Sequence, residues 1–116
     1  RNEDITIYGD GTQTRSFCYI DDMVEGIIKF VSLNNDFTGP LNLGDPDEYT
    51  IQGLAEVILE LTNSKSKLVY QDLPSDDPKR RRPDITLAKK KLFWEPKTTL
   101  EKGIGKTIEY FSHLIT

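Results

Sequence analysis

Three stretches of this chain space their apolar residues at three- and four-residue steps, with short segments between them. Met23, Val24, Ile27, Ile28 and Val31 form the first stretch. Ile51, Leu54, Ala55, Ile58 and Leu61 form the second, and Leu100, Ile104, Ile108 and Phe111 the third. Such spacing predicts three amphipathic helices with these side chains turned inward. Asp21 or Asp22 would cap the first helix and Thr50 the second, while Thr98 and Glu101 have the spacing of a capping box for the last. Gly26 would weaken the first helix by up to ~1 kcal/mol relative to alanine. Before it, "ITIYGDGTQTRSFCYI" reads as two strands around a Gly-Asp-Gly turn. Ile5 and Ile7 alternate with Thr6 there, and Arg15, Phe17 and Tyr19 share one face. "LNLG" and "SKLVYQDL" read as further short strands. Asp84 can cap a short helix through "ITLAKKKLF", whose lysines suit its carboxyl end, before "WEP" breaks the chain. The pattern is mixed α/β, with strands too few for a self-sufficient doubly wound sheet.

The 116 residues make one domain at most. A net charge of -4 argues against generic nucleic-acid binding, which needs a basic footprint. No apolar run approaches a membrane span. Cys18 stands alone, so a reducing, cytoplasmic compartment is the expectation. The opening "RNEDITIYGD" has neither an initiator Met nor a signal peptide, so residues 1–116 are expected to be one domain of something larger.

Familiar catalytic devices fail one by one. "GIGKT" at 103–107 ends like a phosphate-binding loop, but Leu100 holds the required glycine position and the segment is helical in pattern. Gly9 and Gly11 begin like a dinucleotide fingerprint, but position 14 is Thr. His113 is the only histidine and there is no Cys/His cluster, so neither a triad nor a metal site is expected. The carboxylates of "DPDE" are better explained by helix entry or solvation than by acid–base chemistry. No complete active site is present.

Two arginine segments remain. Arg15 sits mid-strand among Thr14, Ser16 and Phe17; an ordinary structural role would pair it with Asp10 or Asp21. Pro78 and Pro83 bracket "KRRR" and hold it as a constrained loop outside any helix. The plain reading of that run is a solvated basic loop offset by Asp76, Asp77 and Asp84. The sharper reading is half of a diphosphate clamp, because arginine's planar fork matches phosphate oxygens two at a time. A non-enzymatic module that uses residues 79–82 to meet an acidic partner is the alternative from another class.

"ITIYGDGTQTRSFCYIDDMVEGI", "GPLNLGDPDEYTI" and "DDPKRRRPDITLAKKKLFWEPKTTLEKGIGKTIEYF" together resemble the carboxyl-terminal part of the UDP-glucuronate decarboxylases. These are extended short-chain dehydrogenase/reductases acting on nucleotide sugars. "YGDGxQTRxFxY" followed by a helix is shared with dTDP-glucose dehydratases and UDP-sugar 4-epimerases, the alternatives within the superfamily. "DDPxxRRPDI" followed by "WEP" narrows the resemblance towards the decarboxylases. It implies a small mixed α/β substrate-binding lobe of a Rossmann-type enzyme, with the NAD-binding domain lying in an amino-terminal part outside this chain. It further implies that Arg15 and Arg81 hold the nucleotide diphosphate, that Tyr8 flanks the uracil and that Gln13 contacts the nucleotide. Arg82 is the weaker candidate for the same role, Tyr19 packs beside the site, and Trp94 and Pro96 anchor the last helix. In that family NAD oxidises the sugar at C4, the β-keto acid loses carbon dioxide, and NADH reduces the ketone to give UDP-xylose. The Tyr-x-x-x-Lys pair of that chemistry is absent here, since Thr12, Met23, Gly53, Pro74 and Leu114 stand four places after the five tyrosines. The resemblance thus implies no catalytic residue and no bound cofactor on this chain. Its expected partners are UDP-glucuronate and the amino-terminal NAD domain, within a homodimeric parent. A Golgi setting would apply to a membrane-anchored eukaryotic form.

Overall fold

The computed structural model describes residues 2–33, 37–74 and 82–115. In chain order it contains β1 (Ile5–Tyr8), β2 (Thr14–Arg15), α1 (Ile20–Val31), β3 (Tyr49–Thr50), α2 (Ile51–Thr62), β4 (Leu68–Gln71), α3 (Thr86–Leu92) and α4 (Leu100–Ile115). The mixed α/β class expected from the pattern is what forms.

β1 and β2 do not pair with each other. β1 runs parallel to β4, with Ile5 opposite Leu68 and Tyr8 opposite Gln71. β2 lies antiparallel to β3, with Thr14 opposite Thr50 and Arg15 opposite Tyr49. The Gly-Asp-Gly turn is therefore a corner between two small sheets. Gly9 and Gly11 both adopt φ +82°, a conformation that glycine reaches without steric cost. Gly11 is also pressed onto α2, where an added Cβ would lie 2.9 Å from Gln52 Cβ. Gln52 N donates to Gly11 O (3.1 Å) and Ile51 N to Gln13 O (3.0 Å), so the corner is tied to the start of that helix.

Thr50 caps α2 as expected, its Oγ1 accepting from Gly53 N at 3.0 Å. The other caps differ. α1 begins at Ile20 after Tyr19, with no side-chain cap. At α4 the cap is Thr99, whose Oγ1 accepts from Lys102 N at 3.3 Å. Thr98 instead donates its backbone N–H to Asp22 Oδ2 at 3.0 Å. The "LNLG" segment forms no strand and enters neither sheet of the described residues.

α1 also faces the opposite way from its apolar spacing. Asp22 and Gly26 are its buried residues. Ile20 (61%), Val24 (43%), Ile27 (49%), Ile28 (59%) and Val31 (76%) are solvent-exposed. Trp94, only 1% exposed, is the cause. Its indole Nε1 donates to Asp22 O at 2.8 Å. Its ring lies where a Cβ on Gly26 would approach Cε2 to 3.1 Å and Leu43 Cδ2 to 3.0 Å. Glycine there admits a large side chain from a distant segment, which outweighs its small helix penalty. The Asp22 carboxylate also accepts from Lys97 N at 3.2 Å, so it clamps the link between α3 and α4.

The core around Trp94 consists of Ile85, Ala88 and Leu92, with Cys18, Phe30, Leu33, Leu41 and Leu43 packed against it. Trp94 thus anchors the link to α4 as expected. α3 ends at Leu92, and its C-cap Phe93 takes a left-handed conformation (φ 51°).

Candidate functional site

Arg15 and Arg82 come from distant segments and line one open cleft of about 640 Å³. Ser16, Cys18, Asp45 and Pro83 contribute to the same walls. β2 sets Arg15 at the end of its two-residue ladder with β3. The half-buried Arg15 donates from Nη1 to Thr14 O at 2.6 Å. Arg82 is exposed and stands just before Pro83 and Asp84.

The chain beyond Pro83 is firmly held. Asp84 Oδ1 accepts from Thr86 N (3.0 Å) and from Thr86 Oγ1 (2.5 Å), which braces the entry to α3, although the N-cap is Ile85 and not Asp84 as expected. The Thr86 hydroxyl and N–H lower the Asp84 pKa, and Arg82 adds to that effect. Asn42 Nδ2 donates to Asp84 O at 3.4 Å. Ile85 then enters the core.

The other titratable groups of the cleft are shifted upward. Burial raises Asp45, and the Asp47 and Asp22 carboxylates add to this against a hydrogen bond from Asp47 N–H. Burial, then Asp22 and Asp45, push the Cys18 thiol up to about 11. Cys18 is therefore protonated at neutral pH and is no nucleophile. An entering anion would favour the neutral forms of both groups still further. The described lining of the cleft brings Arg15 and Arg82 together with the Asp45 and Asp84 carboxylates.

Other residues expected at the site take different places. Gln13 is 7% exposed, and its Nε2 donates to Tyr8 O at 2.6 Å, bracing the end of β1. Tyr8 is 52% exposed. Neither Tyr8 nor Gln13 lines the cleft with Arg15. Arg81, with Lys79 and Arg80, lies outside the described residues. Tyr19 packs away from the cleft, against Gly103, with Lys106 Nζ 5.6 Å from its ring centre. The "GIGKT" stretch lies within α4, so it forms no phosphate loop. No group of three or more metal-ligating side chains occurs among the described residues. The sequence does not single out Ser16, Asp45 and Pro83 as site residues, because only their meeting in space marks them.

The sequence matches the GDP-mannose 4,6 dehydratase family over residues 1–107. The chain belongs to that family. Among its relatives, UDP-glucuronic acid decarboxylase 1 of Danio rerio is 46% identical over 112 residues, 97% of this chain and 26% of that protein. UDP-glucuronic acid decarboxylase 5 of Arabidopsis thaliana is 46% identical over 111 residues, 96% of this chain and 32% of that protein. The chain thus spans between a quarter and a third of the length of these relatives. Among solved structures, the Thermotoga maritima UDP-glucose 4-epimerase with UDP-glucose superposes with a TM-score of 0.91 at 31% identity, covering 99% of this chain and 37% of that one. The Bacillus cereus UDP-glucuronic acid 4-epimerase, in complex with UDP-glucuronic acid and NAD, gives 0.89 at 27% identity, covering 96% and 36%. The small α/β fold of this family member is therefore that of a part of larger nucleotide-sugar enzymes.

Proposed function

We propose that this chain is the nucleotide-sugar-binding lobe of an NAD-dependent UDP-glucuronate decarboxylase, and that the Arg15–Arg82 cleft takes the diphosphate. The observation that carries this reading is the meeting of two arginines from distant segments at one cleft. A guanidinium can match phosphate oxygens with paired N–H donors, and such charge-assisted bonds are roughly twice as strong as neutral ones. Holding the diphosphate lets binding energy far from the reacting carbon orient the sugar. Arg81, next to Arg82 in sequence, belongs to the same clamp in this reading. The exposed Tyr8 ring flanks the uracil, and Gln13 supports it by bracing the Tyr8 backbone. The names of the decarboxylase relatives support glucuronate as the sugar.

Among the described residues, the glycine turn offers NAD no seat. The glycine turn is filled by its own neighbours, with Leu73 Cβ 3.3 Å from where a Gly9 Cβ would lie and Gln52 against Gly11. The redox steps therefore belong to an NAD-binding domain elsewhere in the longer protein, and the 116-residue chain alone is inactive. The outward apolar stripe of α1 supports a packing surface for that domain. A homodimeric parent completes the reading, and a cytoplasmic setting accords with the single thiol. Among the described residues, no helix is long and apolar enough to cross a membrane.

The test is turnover by the intact protein supplied with UDP-glucuronate and NAD. Release of carbon dioxide with formation of UDP-xylose is expected, and Arg15→Ala should act chiefly by raising KM. The structural match to the Thermotoga maritima epimerase favours a second reading, a UDP-sugar 4-epimerase. Inversion at C4 without loss of carbon dioxide would select it.

A further inference from the structure

Gly44 touches the arginine segment more closely than any side chain could. An added Cβ would lie 2.8 Å from Pro83 Cγ and 3.3 Å from Pro83 Cβ. The glycines with positive φ are Gly9, Gly11 and Gly39, so Gly44 supplies room here and no unusual backbone conformation. The atoms it admits belong to a proline ring, which beyond a change of pucker at Cγ can give way only by moving with its own backbone. Downstream of that ring the chain is pinned at each step. Asn42 holds the Asp84 carbonyl, Thr86 holds the Asp84 carboxylate, and Ile85 is in the core. A displaced Pro83 therefore passes its shift upstream, to Arg82.

We propose that Gly44 is a positioning residue for the anion cleft: its lack of a side chain seats the Pro83 ring, and that seat fixes where Arg82 enters the cleft. The proposal rests on the reading of the cleft as a diphosphate site and adds to it a residue that touches no ligand. Asn42 and Gly44 lie in one short segment, so a single stretch of chain both seats the proline and tethers the residue after it.

The test is a double-mutant cycle on the intact protein, with UDP as probe and thermal unfolding recorded for every variant. Gly44→Ala should weaken UDP binding roughly tenfold and raise KM more than it lowers kcat. Pro83→Ala removes the obstructing Cγ, so Gly44→Ala combined with Pro83→Ala should recover most of that affinity. This double variant also keeps the cycle readable if Gly44→Ala alone does not fold. UDP affinity unchanged in a folded Gly44→Ala, or a double variant that binds no better than Gly44→Ala, overturns the proposal. Arg15→Ala separates the two levels. If it weakens UDP binding while the Gly44 and Pro83 changes are uncoupled, only the positioning role falls. If it leaves binding intact, the diphosphate reading falls and the positioning role falls with it.

Discussion

The apolar residues around Trp94 and those along the outer side of α1 are equally regular in sequence, yet one set is closed and the other open. Ile85, Ala88 and Leu92 bury themselves with Trp94. Ile20, Val24, Ile27, Ile28 and Val31 do not, because α1 turns Asp22 and Gly26 to the same tryptophan. Helical spacing shows that a face is apolar but not what will cover it. Near Trp94, a hydrogen-bond acceptor and a gap for a large ring decided the packing, and both came from residues that count against a helix by propensity. The closed region also adjoins the proposed diphosphate cleft, since Asp84 and Ile85 lie only two and three places after Arg82.

The difference between the two regions can be broken or sharpened by substitution. Trp94→Ala should cost about 3–5 kcal/mol in urea unfolding, the usual range for emptying an aromatic core site. A loss below about 1 kcal/mol would deny that this cluster holds the fold. Asp22→Ala removes the acceptor for the Lys97 and Thr98 N–H groups and should cost about 2–3 kcal/mol by the same measurement. An unchanged unfolding midpoint would mean that the α3–α4 link needs no clamp. At the open face, Ile28→Lys should change the stability of the 116-residue chain by no more than about 0.5 kcal/mol. A cost near that of Asp22→Ala would show the stripe to be packed within this chain after all.

How much of the molecule is legible in the sequence depends on the range of the interactions involved. The Thr50 cap depends on a residue three places away and forms as the local pattern indicates, whereas Asp84 bonds Thr86 one residue ahead of the actual N-cap of α3, Ile85. Strand pairing does not show itself, because the partner of β1 is β4, far along the chain and parallel. The two stretches that read as flanking one turn consequently end in separate sheets. The orientation of α1 is hidden for the same reason, since Trp94 is distant in sequence and only the fold brings it to Gly26. At the site, Arg15 stands out by its setting among small polar and aromatic residues. The family resemblance ranks Arg82 below its neighbour in the basic run, and the shared cleft sets it beside Arg15. Nothing local distinguishes Gly44 as more than a turn residue, because its importance lies in the ring it faces.

The most direct test of the clamp is calorimetric titration of the intact protein with UDP, run beside Arg15→Ala, Arg82→Ala and a pyrophosphate control. A two-arginine clamp predicts saturable UDP binding, weakened by about 1.5–3 kcal/mol for each lost charge-assisted contact, with pyrophosphate competing for the same cleft. UDP binding of full strength in both variants would contradict it.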